Sequence, residues 1–331
     1  MAKKGRTKER GTDRLVRYFT EGIKNRPIAD TVGMEVETSF VRMEEMPGSN
    51  GNGYFLPKRP RPITIDQSQE IFRRFIKEYF WWKITKTKGE LITEISDDEG
   101  NKLLYELGRQ NIEISSSPQS LSEVADYMDN LHGKLIHGAV GWAKPDGMNL
   151  EFNREPILDT DEELLVIPDE RDATWLELDG RPALEILART SAVQFTISVP
   201  PWSAIECLNR LGEKIGSFLK DYPQEEYWRR YIKESKANYH PLRYGGPLFF
   251  DSIEDYCRKL IKHDVVVGSK LVPYNQVKDL DIPLYLRSIW WYFRLRRYGN
   301  TLCIEVRPFG NWGIVEFQDQ LDFVMSILPK A

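Results

Sequence analysis

An α+β fold is what this 331-residue sequence predicts: a mainly antiparallel, curved β-sheet with one polar face and helices packed on the other. Three observations predict it. Four segments alternate apolar and polar residues with a period of two, the pattern of a strand with one buried face. Helix-type segments separate the strands without the regular rhythm of parallel βαβ units. No linker and no internal repeat divides the chain, so a basic segment over 1–26 and one domain over 27–331 are expected.

The elements follow in order. Residues 13–25 form a short amphipathic helix that stops before Pro27. A strand over 30–43 contains GMEVETSF, with Met34, Val36 and Thr38 on one side and Glu35 beside Glu37 on the other. The glycines and prolines of 46–62 predict a basic flap without regular structure. Asp66 and Gln69 read as a capping pair for a helix to about Trp82. Strands fill 84–116, with a hairpin turn at Asp97-Asp98-Glu99-Gly100. Ser120 and Glu123 cap a helix to about His137. A strand over 187–199 precedes a helix capped by Ser203 and Glu206. Helices near 224–236, 252–263, 284–297 and 314–328 complete the chain, with a strand at 301–308. The pairs Trp81-Trp82 and Trp290-Trp291 are expected to pack helices on the outer sheet face.

The net charge of −4 argues against general affinity for nucleic acid or membrane. Seven Lys and Arg lie within residues 1–17, so that tail is the one place where nucleic acid or an acidic partner is expected. Three cysteines with no paired spacing argue for a reducing compartment and against a zinc site. His132 and His137, five apart, are read as structural. No signal peptide opens the chain and no apolar run reaches eighteen residues, so a soluble cytoplasmic protein is expected.

The polar sides of the strands carry the chemistry. Gln194 lies on the polar side of 189–199, Glu305 and Arg307 on that of 301–309, and Asn111, Glu113 and Ser115 on that of 109–118. With Glu35 and Glu37 they would make a concave acidic floor, and carboxylates so gathered need cations. Hard divalent ions take oxygen ligands, and Mg²⁺ commonly joins protein carboxylates to substrate phosphates.

These segments also resemble a known family, the plant and bacterial glutamate–cysteine ligases and related carboxylate–amine ligases of the glutamine-synthetase-like superfamily. GMEVE (33–37) is similar to the family's GxExE opening. YELGRQNIEISSSPQSLSEV (105–124) resembles E-P-G-G-Q-x-E-L-S-G-x-P through Glu106, Gln110, Glu113, Ser115 and Pro118, with one extra residue between Glu106 and Glu113. RTSAVQFTI (189–197) resembles R-T-x-x-V-Q-V-N-L, and RLRRYGNTLCIEVRPFGN (294–311) resembles R-L-x-x-Y-x-E-x-R-G-A-D through Glu305 and Arg307.

The resemblance implies a glutamine-synthetase-like fold and ATP-dependent ligation of a small-molecule carboxylate, glutamate first, to an amine. It implies Mg²⁺ held by Glu35, Glu37, Glu106, Glu113, Gln194 and Glu305, with Arg307 and Arg189 catalytic and Gln194 and Arg307 at the nucleotide. The sequence departs from the family at Thr196 and Ser198, at Ser116-Ser117 and at Pro308-Phe309-Gly310, so the acceptor amine stays open. A phosphagen-kinase-like transfer to a guanidine or amine, and a non-catalytic binding protein using the basic tail, are the alternatives. Arg243 and the basic residues 58–61 are further polar candidates near the substrate entrance, although an ordinary surface loop is the stronger reading of both.

Overall fold

The structure is a computed structural model that describes residues 11–45, 58–143, 150–313 and 317–329. In chain order the elements begin with α1 (Asp13–Thr20), β1 (Val32–Glu45), β2 (Lys58–Pro62), α2 (Ile65–Glu78), β3 (Lys83–Lys88), β4 (Leu91–Ser96), β5 (Lys102–Tyr105) and β6 (Asn111–Ser115). Next come α3 (Val124–Ala143), β7 (Leu150–Phe152), α4 (Glu170–Asp179), α5 (Arg181–Leu187), β8 (Ala192–Ser198), α6 (Ala204–Glu213), α7 (Ile215–Lys220) and α8 (Gln224–Glu234). Last are β9 (Tyr244–Gly245), α9 (Ile253–Leu260), β10 (Val265–Val267), β11 (Lys270–Val272), α10 (Ile282–Arg287), β12 (Trp290–Trp291), β13 (Phe293–Tyr298), β14 (Thr301–Gly310) and α11 (Phe317–Ile327).

The fold is α+β, built on one large antiparallel sheet. Its strands run β13-β14-β8-β1-β6-β5-β4-β3, and the far half of β1 also pairs with β2 and β7. The period-two alternation sets the layers. Val32, Met34 and Val36 of β1 are fully buried together with Val193, Phe195 and Ile197 of β8, Ile112 and Ile114 of β6, and Leu302, Ile304 and Val306 of β14. They form one continuous core with residues of α2, α3, α6 and α11. Leu15 and Phe19 of α1 belong to that same core. Because every second residue faces away, the same four strands present their polar residues together on the opposite face.

A smaller layer stands over part of that polar face. Trp175 of α4, Leu184 and Leu187 of α5, Tyr231 of α8 and Tyr244 of β9 make a second apolar cluster, against which Trp228 and Trp290 pack. Helices therefore flank the sheet on both sides, where the sequence suggested one.

Several local expectations change. The segment near 284–297 is not a helix: α10 ends at Arg287, and β12 and β13 follow. Phe293 and Leu295 are buried beside Arg294 and Arg296, so the alternation is that of a strand. The Gly299-Asn300 turn, with Gly299 at φ +60°, closes the hairpin to β14 and is the signal that identifies it. Residues 46–57 of the expected flap lie outside the described residues, but 58–62 form strand β2 on β1. Residues 189–191 precede β8 as a turn after α5, where a strand was expected.

Helix α2 is capped by Thr64 with Gln67, because Thr64 has the extended backbone an N-cap needs, while Gln69 bonds both backbone groups of Ile92. Ser203 does not cap α6; its backbone is helical and its hydroxyl donates to Pro200 O. The Asp97 turn forms as expected, but Ser120 Oγ donates to Glu123 Oε2, a contact between the two side chains in place of the expected reciprocal capping box, and α3 begins at Val124. Arg243 is not a surface residue: it is buried and donates to Ser288 O, Ser288 Oγ and Asp264 O.

Candidate functional site

The polar face of the sheet forms the floor of a cavity of about 540 Å³. The register puts the floor in rows. Gln194, Glu35 and Ser115 stand side by side on β8, β1 and β6, and Glu37 stands beside Glu113 in the next row. On the other side Glu305 pairs across to Arg294 of β13 and Thr196 of β8. The ladder shifts between Val306 and Phe309, and this irregularity holds Arg307 beside that group. Glu35, Glu37, Glu106, Glu113, Gln194, Glu305 and Arg307 all line this one cavity.

Arg189 is the exception. It is absent from the cavity lining, and its guanidinium donates to Thr160 O and to Glu162 O, the latter at 3.3 Å. The reason is the turn that precedes β8: the side chain leaves the chain before the strand begins, so strand alternation does not aim it at the floor.

The electrostatics divide the floor in two. The acidic part centres on Glu37, whose Oε2 accepts from Ala192 N at 3.1 Å and whose Oε1 accepts from Gln194 Nε2 at 3.5 Å. Burial pushes the Glu37 carboxyl up to about 7, against the pull of Arg307 and of the Ala192 N–H. Glu35 is raised as well, first by burial and then by the charge of Glu305, with Arg307, Arg294 and Arg296 opposing. At the rim Glu94 is held low: Lys86, Thr85 and Lys102 together outweigh the burial that would raise it.

The basic part centres on Glu305. Arg294 Nε bonds Glu305 Oε2, Arg307 Nη1 lies 3.5 Å from the same oxygen, and Arg296 Nε lies 3.3 Å from Oε1. Burial would raise this carboxyl, but the three guanidinium groups overcome it and lower it to about 2. Burial also brings Arg294 down to about 10 despite its bond to Glu305. Arg294 and Arg296 complete this part of the site, and the sequence does not point to them because the apolar spacing of their segment also suits a helix.

The walls come from the second cluster. Trp290 lines the cavity and stacks on Tyr244 at 5.0 Å, and Trp175 and Trp228 stand beside it. Trp290 is thus a wall of the site and does not pack on the outer sheet face, whereas Trp291 is fully buried in the main core and packs against Tyr256 of α9 and against Phe250. Of the other pair, Trp82 is buried in the main core while Trp81 is exposed. Both histidines expected to be structural lie on α3, and the buried His132 bonds Thr38 Oγ1 at 2.9 Å.

For a divalent cation the donors are of the right kind: Glu35, Glu37 and Glu113 with Gln194, all oxygen ligands. Among the described residues no three His, Cys, Asp or Glu side chains stand close enough to hold a metal ion by themselves. The arrangement fits Mg²⁺, which takes one or two protein carboxylates and completes its shell with phosphate oxygens and water. The raised values of Glu35 and Glu37 mark the charge repulsion and desolvation that such a cation would relieve.

Among the described residues no helix is long and apolar enough to cross a membrane. No protein-family model matches the chain, and no curated protein matches it. Among solved structures, the chain is similar to the crystal structure of a bifunctional glutathione synthetase from Pasteurella multocida, at 10% identity and a TM-score of 0.36. The likeness covers 90% of this chain but only 39% of that one, and at this score it does not establish a shared fold.

Proposed function

We propose that this chain is an ATP- and divalent-cation-dependent carboxylate–amine ligase, similar to the glutamate–cysteine ligases, with its catalytic machinery in one domain over residues 27–331. The observation that supports this best is the convergence of four separate sequence motifs on one cavity floor. Glu35 and Glu37, Glu113, Gln194, and Glu305 with Arg307 come from four strands and line the same cavity. A solvated sheet face has no reason to gather carboxylates until burial raises them.

In this reading the γ-carboxylate of glutamate attacks the γ-phosphorus of ATP, and ADP leaves. The amine nitrogen then attacks the acyl phosphate carbon, phosphate leaves with the C–O bond electrons, and the ammonium proton is lost as the amide forms. One or two of the carboxylates Glu35, Glu37, Glu106 and Glu113, with Gln194, would hold each Mg²⁺. When bound, the cation supplies the positive charge that lets a carboxylate approach a polyphosphate. Arg307 offers a permanently charged planar donor to the transferring phosphoryl group. The Trp175, Trp228 and Trp290 wall restricts water at the acyl phosphate, which hydrolysis would otherwise consume.

The test is phosphate release from Mg-ATP with glutamate and a panel of amines, with products weighed by mass spectrometry. Glu35→Ala and Arg307→Ala should each lower turnover at least about a hundredfold while the circular dichroism spectrum is unchanged. Unchanged turnover in either variant removes this site from the reaction. A stable phosphorylated amine in place of amide plus free phosphate would make the protein a kinase.

A further inference from the structure

We propose that Glu305 is a post that orients an oxyanion pocket made by Arg296 and Arg307, with Arg294 behind them, and that it is not a cation ligand. This rests on the cavity being the substrate site, though not on the amide-forming step. Both Glu305 oxygens are already engaged. Oε2 is shared by Arg294 Nε and Arg307 Nη1, and Oε1 by Arg296 Nε and by the Tyr298 hydroxyl at 3.3 Å. A cation at those oxygens would have to displace donors and sit among three guanidinium groups.

The three arginines are not equivalent. Arg294 is tied off, since its Nη1 also donates to Leu286 O at 2.8 Å and Ile289 O at 2.6 Å. It fixes the loop after α10 and braces Glu305. Arg296 is only 6% exposed, and its Nη1 is buried with no hydrogen-bond partner. A buried guanidinium donor is rarely left unpaired in a finished site, so its acceptor has to come from outside the described residues. Arg307 reaches the same place from β14, less buried than the other two.

Three guanidinium groups against Glu305, with the burial-raised Glu35 also in reach of them, leave surplus positive charge at this part of the floor. Two planar forks side by side suit a group with several charged oxygens. Phosphoryl and carboxylate groups share that chemistry, and the measurement below separates them. The sheet then holds a cation half at Glu35, Glu37 and Glu113 on β1 and β6 and an anion half at Arg296 and Arg307 on β13 and β14, with β8 between them.

Calorimetry on the full chain, in chloride buffer of fixed ionic strength, would measure binding of inorganic phosphate and of glutamate. Arg296→Gln should weaken one of them about tenfold or more, since a hydrogen bond to a charged group is lost. Selective loss of phosphate identifies a phosphoryl pocket, and selective loss of glutamate a carboxylate pocket. Thermal melting checks the fold, and Arg296→Lys, which keeps the charge without the fork, should recover only part of the affinity. If Arg296→Gln does not fold, Arg296→Lys decides alone, and wild-type affinity for both anions overturns the pocket.

Mn²⁺ titration followed by electron paramagnetic resonance tests the other half of the proposal. Glu305→Gln should bind Mn²⁺ within about threefold of wild type, whereas a tenfold loss makes Glu305 a cation ligand and overturns the assignment. Wild-type protein that binds neither anion also overturns it. No Mn²⁺ binding by either protein, with anion binding dependent on Arg296, leaves the pocket standing and counts against the ligase.

Discussion

Replacing Glu37 by Gln should stabilise the protein at pH 8 in the absence of cation and nucleotide and abolish the proposed ligase activity. The carboxyl is raised from an ordinary 4.5 to about 7, chiefly by burial. The folded chain therefore holds this proton where the unfolded chain has released it. The sign follows from linkage: between those two values the native state binds more protons, so its stability falls as pH rises. The contribution is complete below 4.5 and is lost as pH passes through about 7. The rise from 4.5 to about 7 corresponds to roughly 3 kcal/mol, before discounting for the solvent that reaches a half-buried group.

Gln carries no charge to desolvate, and its Oε1 can keep the bond from Ala192 N. For a chain of this length the unfolding entropy makes 3 kcal/mol about 4 °C in Tm. Thermal melts of wild type and Glu37→Gln at pH 5 and pH 8 test this. The melting points should be nearly equal at pH 5, and the variant should be higher by a few degrees at pH 8. Added Mg²⁺ should raise wild type toward the variant, because a cation at the carboxylate removes the same penalty. A difference independent of pH, or a variant less stable at pH 8, would mean that burial does not raise the Glu37 carboxyl.

Three further outcomes follow from the rest of the fold. Arg243→Ala should destabilise the protein by about 3 kcal/mol in urea unfolding, because the carbonyls of Ser288 and Asp264 lose their buried donor; a loss under 1 kcal/mol would mean that water replaces it. Gly212→Ala should lower Tm clearly, since a Cβ there meets Leu248 O at 2.3 Å, where Asn209 bonds both backbone groups of Phe250. The His132 ring should show no NMR titration between pH 5 and 8, because burial lowers it to about 4; a midpoint above 6 would show that water reaches the Thr38 contact.

The layer structure of the central sheet is already written in the amino-acid pattern. Strict alternation in β1, β8, β6 and β14 dictates which residues are buried, because side chains on a strand have only two directions. For the same reason Glu35, Glu37, Glu113, Gln194, Glu305 and Arg307 were legible as residues of one face before any pairing was known. Arg189 was not legible, since alternation says nothing about a residue in the turn before its strand.

How those faces meet depends on the packed fold. Strand order and register placed Glu35 beside Gln194 and Glu37 beside Glu113, and these are contacts between segments far apart in the chain. It also turned an aromatic and basic run that read as helix into β13. In that run hydrophobic residues satisfy both periods over a few positions, and pairing with β14 settles the choice. Burial on that strand is what leaves Arg296 Nη1 without a partner and sets three arginines around Glu305. Charge type is written in the sequence, but the distance between charges and their removal from water are properties of the packed chain, and these decide which carboxylates are raised and which is held ionised.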